Sequence, residues 1–144
     1  MSTIFNKIIR GEIPAHIIYE DDSVIAFLDI SQATVGHTLV VPKGRYENIY
    51  DLDDEIAGHL YRVVVLIANG IKKSLKPEGI NILNNNGSIA GQTVFHYHIH
   101  IIPRYSEKDI EIKLTNNYGK ESNEELRRRT LAIQAALSET SRLF

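Results

Sequence analysis

The sequence predicts an α+β domain: a twisted, mainly antiparallel sheet of about five strands with one long helix packed on it and a further helix at the C-terminal end. Three observations predict this. Short β-rich runs follow in quick succession, Ile17 to Glu20, Val24 to Leu28 and His37 to Val41, as in an antiparallel meander. Apolar residues then recur at spacings of three and four, Ile56, Leu60, Val63, Val64, Ile67 and Ile71, the stripe of an amphipathic helix. Finally, Val94 to Pro103 alternates histidine with apolar residues, which in an extended strand puts His96, His98 and His100 on one face and Phe95, Tyr97, Ile99 and Ile101 on the other.

Each element has local support. Ser2 or Thr3 is a candidate cap for a short helix carrying Phe5, Ile8 and Ile9, and Gly11 stops it before Pro14. Asp21-Asp22-Ser23 joins the first two strands as a polar turn. Ser31 to Gly36 reads as loop, and Pro42-Lys43-Gly44 ends the third strand. The long helix is expected from Asp51 to Lys73, because acidic residues gather at its positive end and Lys72 and Lys73 at its negative end. Ile80 to Leu83 forms the fourth strand. The polar loop Asn84 to Gln92 leads to the histidine strand, which Pro103, having no N–H for a ladder, is expected to end. Ile110, Ile112 and Leu114 alternate with Glu111 and Lys113 in a possible further strand. Ser122 to Glu125 has capping-box spacing before a last helix bearing Leu126, Thr130, Ile133 and Leu137.

At 144 residues and 43% hydrophobic, the chain suits one domain with its own core. It contains no cysteine, which removes disulfides, thiol catalysis and thiolate zinc sites. The start lacks the apolar stretch of a signal peptide and the longest apolar run, Val63 to Ala68, falls far short of a membrane span, so a cytoplasmic protein without membrane partners is expected. A net charge of −2 and a pI near 6.3 give no global basic field for duplex nucleic acid, so a small-molecule site is favoured.

A single histidine is most simply a hydrogen-bonded structural residue, and His16 and His59 are read so; Arg127 to Arg129 is read as a solvated helix face. Three imidazoles on one strand face are different, because repulsion and desolvation suppress their protonation. Metal binding is one use of such a row. However, strand residues two apart have Cα atoms ~6.6 Å apart, while zinc needs each nitrogen at about 2.0–2.1 Å, so only two of the row together with His37 suit one ion. Phosphate chemistry is the other use: a neutral imidazole attacks, and its neighbours donate to the phosphoryl oxygens. Asn85, Gln92 and Thr93 offer side-chain donors in the preceding loop, and Gly91 lets a backbone N–H approach an anion.

The run Gly91-Gln92-Thr93-Val94-Phe95-His96-Tyr97-His98-Ile99-His100-Ile101-Ile102 resembles the signature of histidine-triad (HIT) nucleotide-binding proteins. Ile4 to Pro14 resembles the family's opening, Tyr19 to Ile30 its first hairpin and Gly36 to Lys43 its third strand, so the resemblance covers residues 4–104, with 105–144 as a C-terminal extension of a single HIT domain. It implies a HIT-like fold and a homodimer whose sheets join across the interface. It also implies hydrolysis of nucleoside 5′-phosphoramidates or related adenylated compounds, with no cofactor and no essential metal. His98 would attack the α-phosphorus to give a nucleotidyl-histidine. His96, His100 and His37 would orient it, bind phosphate oxygens and assist proton transfer. Asn85, Gly91, Gln92 and Thr93 would hold the phosphate and leaving group, Asp29 the ribose hydroxyls, and Phe5, Ile8, Phe27, Ile30 and Leu39 the purine of an AMP-type nucleotide. Those five are equally plausible core residues. A dinucleoside polyphosphate hydrolase, a nucleotide-binding regulator with little turnover and an imidazole metal binder are the alternatives. Some bacterial members that the sequence resembles carry zinc at positions matching Thr3, Asn6 and Arg45, side chains that are poor zinc ligands, so no structural zinc is expected.

Overall fold

The computed structural model describes residues 2–140 and divides into two compact units, one through Glu111 and one from Ile112. The first contains α1 (Ile4–Ile9), β1 (Ile17–Glu20), β2 (Val24–Leu28), β3 (Thr38–Pro42), α2 (Asp54–Leu75), β4 (Gly79–Leu83), a 3₁₀ turn (Ser88–Ala90) and β5 (Ile99–Arg104). The five strands form one antiparallel sheet in the order β1-β2-β3-β5-β4. No helix among the described residues is long and apolar enough to cross a membrane.

Strand alternation divides the core in two. Val24, Ala26, Val40, Ile99 and Ile101 face α2 and pack with its buried stripe, Leu60, Val63, Val64, Ile67 and Ile71. Ile25, Phe27, Leu39 and Val41 face the other way and pack with Phe5 of α1. Each fully buried aliphatic side chain contributes roughly 1.5–3 kcal/mol, so α2 is held by its stripe far more than by its ends. Those ends still set its limits: Asp53 is the N-cap, accepting from the N–H groups of Glu55 and Ile56, and Lys76 closes the helix in the left-handed conformation at φ 54°. The helix therefore starts three residues later than Asp51 and runs two past Lys73. Asp51 instead accepts from the N–H groups of Glu47 and Asn48.

The histidine run departs most from expectation. Only Ile99 to Arg104 is strand, because β5 pairs with β3 no further back than Val40↔Ile99. Beyond that point Pro42 has no N–H to offer, and its carbonyl accepts from His96 Nε2. Residues 94–98 are satisfied elsewhere: Tyr97 N–H donates to Tyr46 O, while Asn84 Nδ2 and Gln92 Nε2 donate to the carbonyls of His98 and Val94. Alternation of faces survives from His96 to Ile101 but fails at Phe95, which is 46% exposed rather than core. Pro103 does not end the strand. Register with β3 stops at Thr38↔Ile101, so the missing N–H of Pro103 leaves no ladder bond unmade on that side, where its carbonyl accepts from Thr34 Oγ1.

Thr3 caps α1 in a reciprocal box with Asn6, and Gly11 at φ +74° follows its end. The segment Ile110 to Leu114 forms no strand, and Ile112 and Leu114 are exposed. His59 is structural, its Nε2 lying 2.6 Å from Asp21 Oδ2 and so tying α2 to the β1–β2 turn. In the second unit, Ser122 and Glu125 form the expected capping box at the start of α3 (Asn123–Thr140).

Candidate active site

The four histidines form one connected system, and their hydrogen bonds assign every proton. Backbone carbonyls only accept and backbone N–H groups only donate, so each such contact fixes a tautomer. Nδ1 of His98 is 2.7 Å from the His96 carbonyl and therefore carries the proton, leaving a lone pair on Nε2. Nε2 of His96 is 2.7 Å from the Pro42 carbonyl and is protonated, and its Nδ1 accepts from Asn6 Nδ2 at 3.3 Å. Nδ1 of His37 accepts from the Ala33 N–H, so its Nε2–H donates to His100 Nδ1 at 2.9 Å. His100 must then carry its proton on Nε2.

The result is one imidazole with an uncommitted lone pair and a neighbour with an uncommitted N–H. The rings of His98 and His100 lie 5.0 Å apart, and Phe5 packs edge-on against His98 at 5.0 Å. Burial pushes all four imidazoles below the ordinary histidine value, and burial together with the charges that His98 and His37 would carry pushes His100 down to about 4. They are neutral at pH 7.

Asp29 stands beside this row, its Oδ2 3.8 Å from His37 Nε2 and its Oδ1 accepting from the Ser31 N–H. Asn85 lies against Gly91, where φ is +96° and a Cβ would stand 3.4 Å from the Asn85 amide. Gln92 is buried and fully engaged, accepting from Gly87 N–H and donating to the carbonyls of Glu47 and Val94, so it braces the loop. His96 likewise has no ring nitrogen left for a phosphate oxygen. Thr93 is exposed and lines a cleft of about 700 Å³ with Asn6, Arg45, Phe95 and His96. Phe5, Phe27 and Leu39 are buried with Ile8 against them, whereas Ile30 is 85% exposed. Sequence reading missed Asn84 and Gln32, and considered Asn6 only as a position that cannot hold zinc, not as a partner of His96. Gln32 holds the Asp29–His37 loop together through three hydrogen bonds, and only its polar amide in a short loop hinted at this.

Two metal positions can be tested against the donors present. Asp29, His37 and His100 have ligand atoms within 4.8 Å of one another. A metal there needs the Nε2 lone pair of His37, yet the Ala33 N–H keeps the lone pair on Nδ1 and the proton on Nε2. Thr3, Asn6 and Arg45 do not fit zinc either: the first two are engaged in their capping box, Asn6 turns an N–H toward His96, and Arg45 is a cation.

A row of largely buried, neutral imidazoles with one lone pair left free by the protein groups around it defines a candidate nucleophilic histidine site. The chain belongs to the HIT domain family, whose model matches residues 10–107. It is 57% identical over 106 residues to Protein hit of Bacillus subtilis, covering 74% of this chain and 73% of that one. It is 41% identical over 108 residues to adenosine 5'-monophosphoramidase hnt1 of Schizosaccharomyces pombe, covering 75% and 78%. The crystal structure of a HIT family member from Bacillus subtilis superposes with a TM-score of 0.90 at 46% identity, covering 94% of this chain and 96% of that one.

Proposed function

We propose that the chain hydrolyses nucleoside 5′-phosphoramidates or related adenylated compounds through a nucleotidyl-histidine. The observation that carries this reading is the proton arrangement, which leaves His98 Nε2 as a neutral nucleophile beside the Nε2–H of His100. The lone pair of His98 attacks the α-phosphorus, the bond to the leaving amine breaks, and the amine takes up a proton from solvent as it departs. Water then attacks phosphorus, the P–Nε2 bond breaks, and the water proton is released as AMP forms. His100 donates to the phosphoryl oxygen as negative charge builds there. His37 holds His100 in the donating tautomer. Thr93, Asn85 and the Gly91 backbone contact the phosphate, and Gln92 shapes the loop that presents them. Asp29 accepts from the ribose hydroxyls, and Ile8, Phe27, Ile30 and Leu39 with Phe5 border the purine. The monophosphoramidase named among the relatives supports this substrate class.

We also infer a homodimer in which two sheets join. β4 is an edge strand with Ile82 and Leu83 partly exposed, and the outer face of α2 presents Tyr61, Val65 and Leu66. Both features are liabilities in a monomer.

Turnover of an adenosine phosphoramidate by the purified chain, read as AMP release, is the direct test. EDTA should leave the rate nearly unchanged, because the proposed clamp is made of imidazoles, amides and backbone N–H groups; loss in EDTA with recovery on adding zinc would restore the metal reading. Asp29→Asn should weaken binding of a ribonucleotide but hardly that of its 2′,3′-dideoxy analogue, since hydrogen bonds to a charged group are worth roughly 1.5–3 kcal/mol each. Equal losses for both ligands, measured by calorimetry, would make Asp29 structural.

A further inference from the structure

We propose that Asn6 is a positioning residue for this reaction: its side-chain amide locks His96 in a single uncharged tautomer, and His96 in turn holds the nucleophile His98. The inference rests on the hydrolase reading for its consequence but on hydrogen bonds alone for its geometry.

Asn6 sits in the first turn of α1 and is only 6% exposed. Its Oδ1 accepts from the Thr3 N–H at 2.7 Å and from the Thr3 hydroxyl at 3.1 Å. A backbone N–H cannot accept, so the amide cannot be turned round; Nδ2 must face His96. With an N–H aimed at it, Nδ1 of His96 keeps its lone pair, and with the Pro42 carbonyl beyond the other nitrogen, Nε2 keeps the proton. Protonating Nδ1 would set two donors against each other in a buried place, which is costly. The groups facing His96 are Asn6 and Phe5 from α1, Pro42 from β3, His98 and the Arg45 cation. Glu47 and Asp51 line the same cleft as His96, but among the described residues no carboxylate is hydrogen-bonded to its ring to favour an imidazolium.

The brace continues to the reacting atom. A ring pinned at both nitrogens, between α1 and the end of β3, fixes the backbone of its own residue. The His96 carbonyl then accepts the Nδ1–H of His98 and so leaves the lone pair on Nε2. A neutral His96 also adds no positive charge next to His98, which would make that lone pair less basic.

Asn6→Asp tests this with minimal change in shape. It keeps the acceptor for Thr3 and hence the helix cap, but presents an oxygen to His96 where a donor stood. The introduced carboxylate should draw one proton from solvent onto Nδ1 and make His96 an imidazolium at neutral pH. Nitrogen-15 imidazole spectra of the wild-type protein should show His96 protonated on Nε2 alone, and those of the variant should show both nitrogens protonated. The variant's kcat should fall on the order of 10–100-fold, the size expected for a disturbed reacting geometry, while KM should not rise. A helix-packing role alone would lower the folded fraction without this spectroscopic change. A proton on Nδ1 of wild-type His96 would overturn the proposal even if the variant failed to fold, as would a variant with wild-type spectra or wild-type kcat. Absence of turnover in the wild type would instead count against the hydrolase reading, leaving the brace to be judged by the spectra.

Discussion

If His98 is the nucleophile we propose, His98→Ala should abolish the covalent intermediate and take turnover down by several orders of magnitude, the scale expected when a nucleophile is removed outright. AMP binding should stay within a modest factor, because the proposed ribose and purine contacts lie on other residues. The flanking histidines behave differently from this and from each other. His100→Ala removes a free N–H donor and should slow the reaction by about 10²–10³, while adduct still forms on His98. His96→Ala removes a ring whose nitrogens are both engaged by protein groups. Its main cost is stability, about 1–3 kcal/mol for each buried partner left unsatisfied, with a smaller loss of rate from the loosened His96 carbonyl. Mass spectrometry of enzyme quenched during turnover, followed by peptide mapping, distinguishes the three. An adduct on His96 or His100, or full activity in His98→Ala, defeats the assignment.

The asymmetry between His96 and His100 is not legible in the sequence. Alternation places three imidazoles on one face and treats them alike, because a period of two says nothing of what each nitrogen meets. Their difference comes from distant partners: Asn6, ninety residues away, and Pro42 for one, His37 for the other. The same holds for strand limits. The stripe of α2 and the hairpin pattern of β1 and β2 are local and readable, whereas the late start of β5 depends on where β3 ceases to offer partners. Pro103 misleads because proline counts as a strand breaker only on a side of β5 that still has a neighbour, and the residues themselves do not say which side that is. Phe95, expected in the core, is exposed because the chain has left the ladder before reaching it. Gln92 reads as a ligand donor by type, and only the carbonyls around it reveal a brace.

The same buried imidazoles make the protein sensitive to acid in a window set by histidine rather than by carboxylates. His37, His96, His98 and His100 are all held below the ordinary value of 6.5 by burial, with His100 at about 4. The unfolded chain protonates them as pH falls through 6.5, and the folded chain resists. Unfolded protein therefore binds more protons in this range, and stability must decline as pH falls. It is fully present above about pH 7 and is lost progressively from there toward pH 4. Asp21 and Asp109, both held below the usual carboxylate range, act in the same direction but only once the pH falls below about 4. For Asp21, the hydrogen bonds from Tyr19, the Ser23 and Val24 backbone and His59 outweigh the opposing effect of burial. Urea unfolding at a series of pH values should give a midpoint that already falls between pH 7 and 5. His100→Asn keeps an acceptor for His37 without a titrating ring and should flatten that slope. A midpoint constant from pH 7 to 5 in the wild-type protein would mean that these imidazoles are not held neutral by the fold, and with that the proposal of His98 as nucleophile would lose its physical basis.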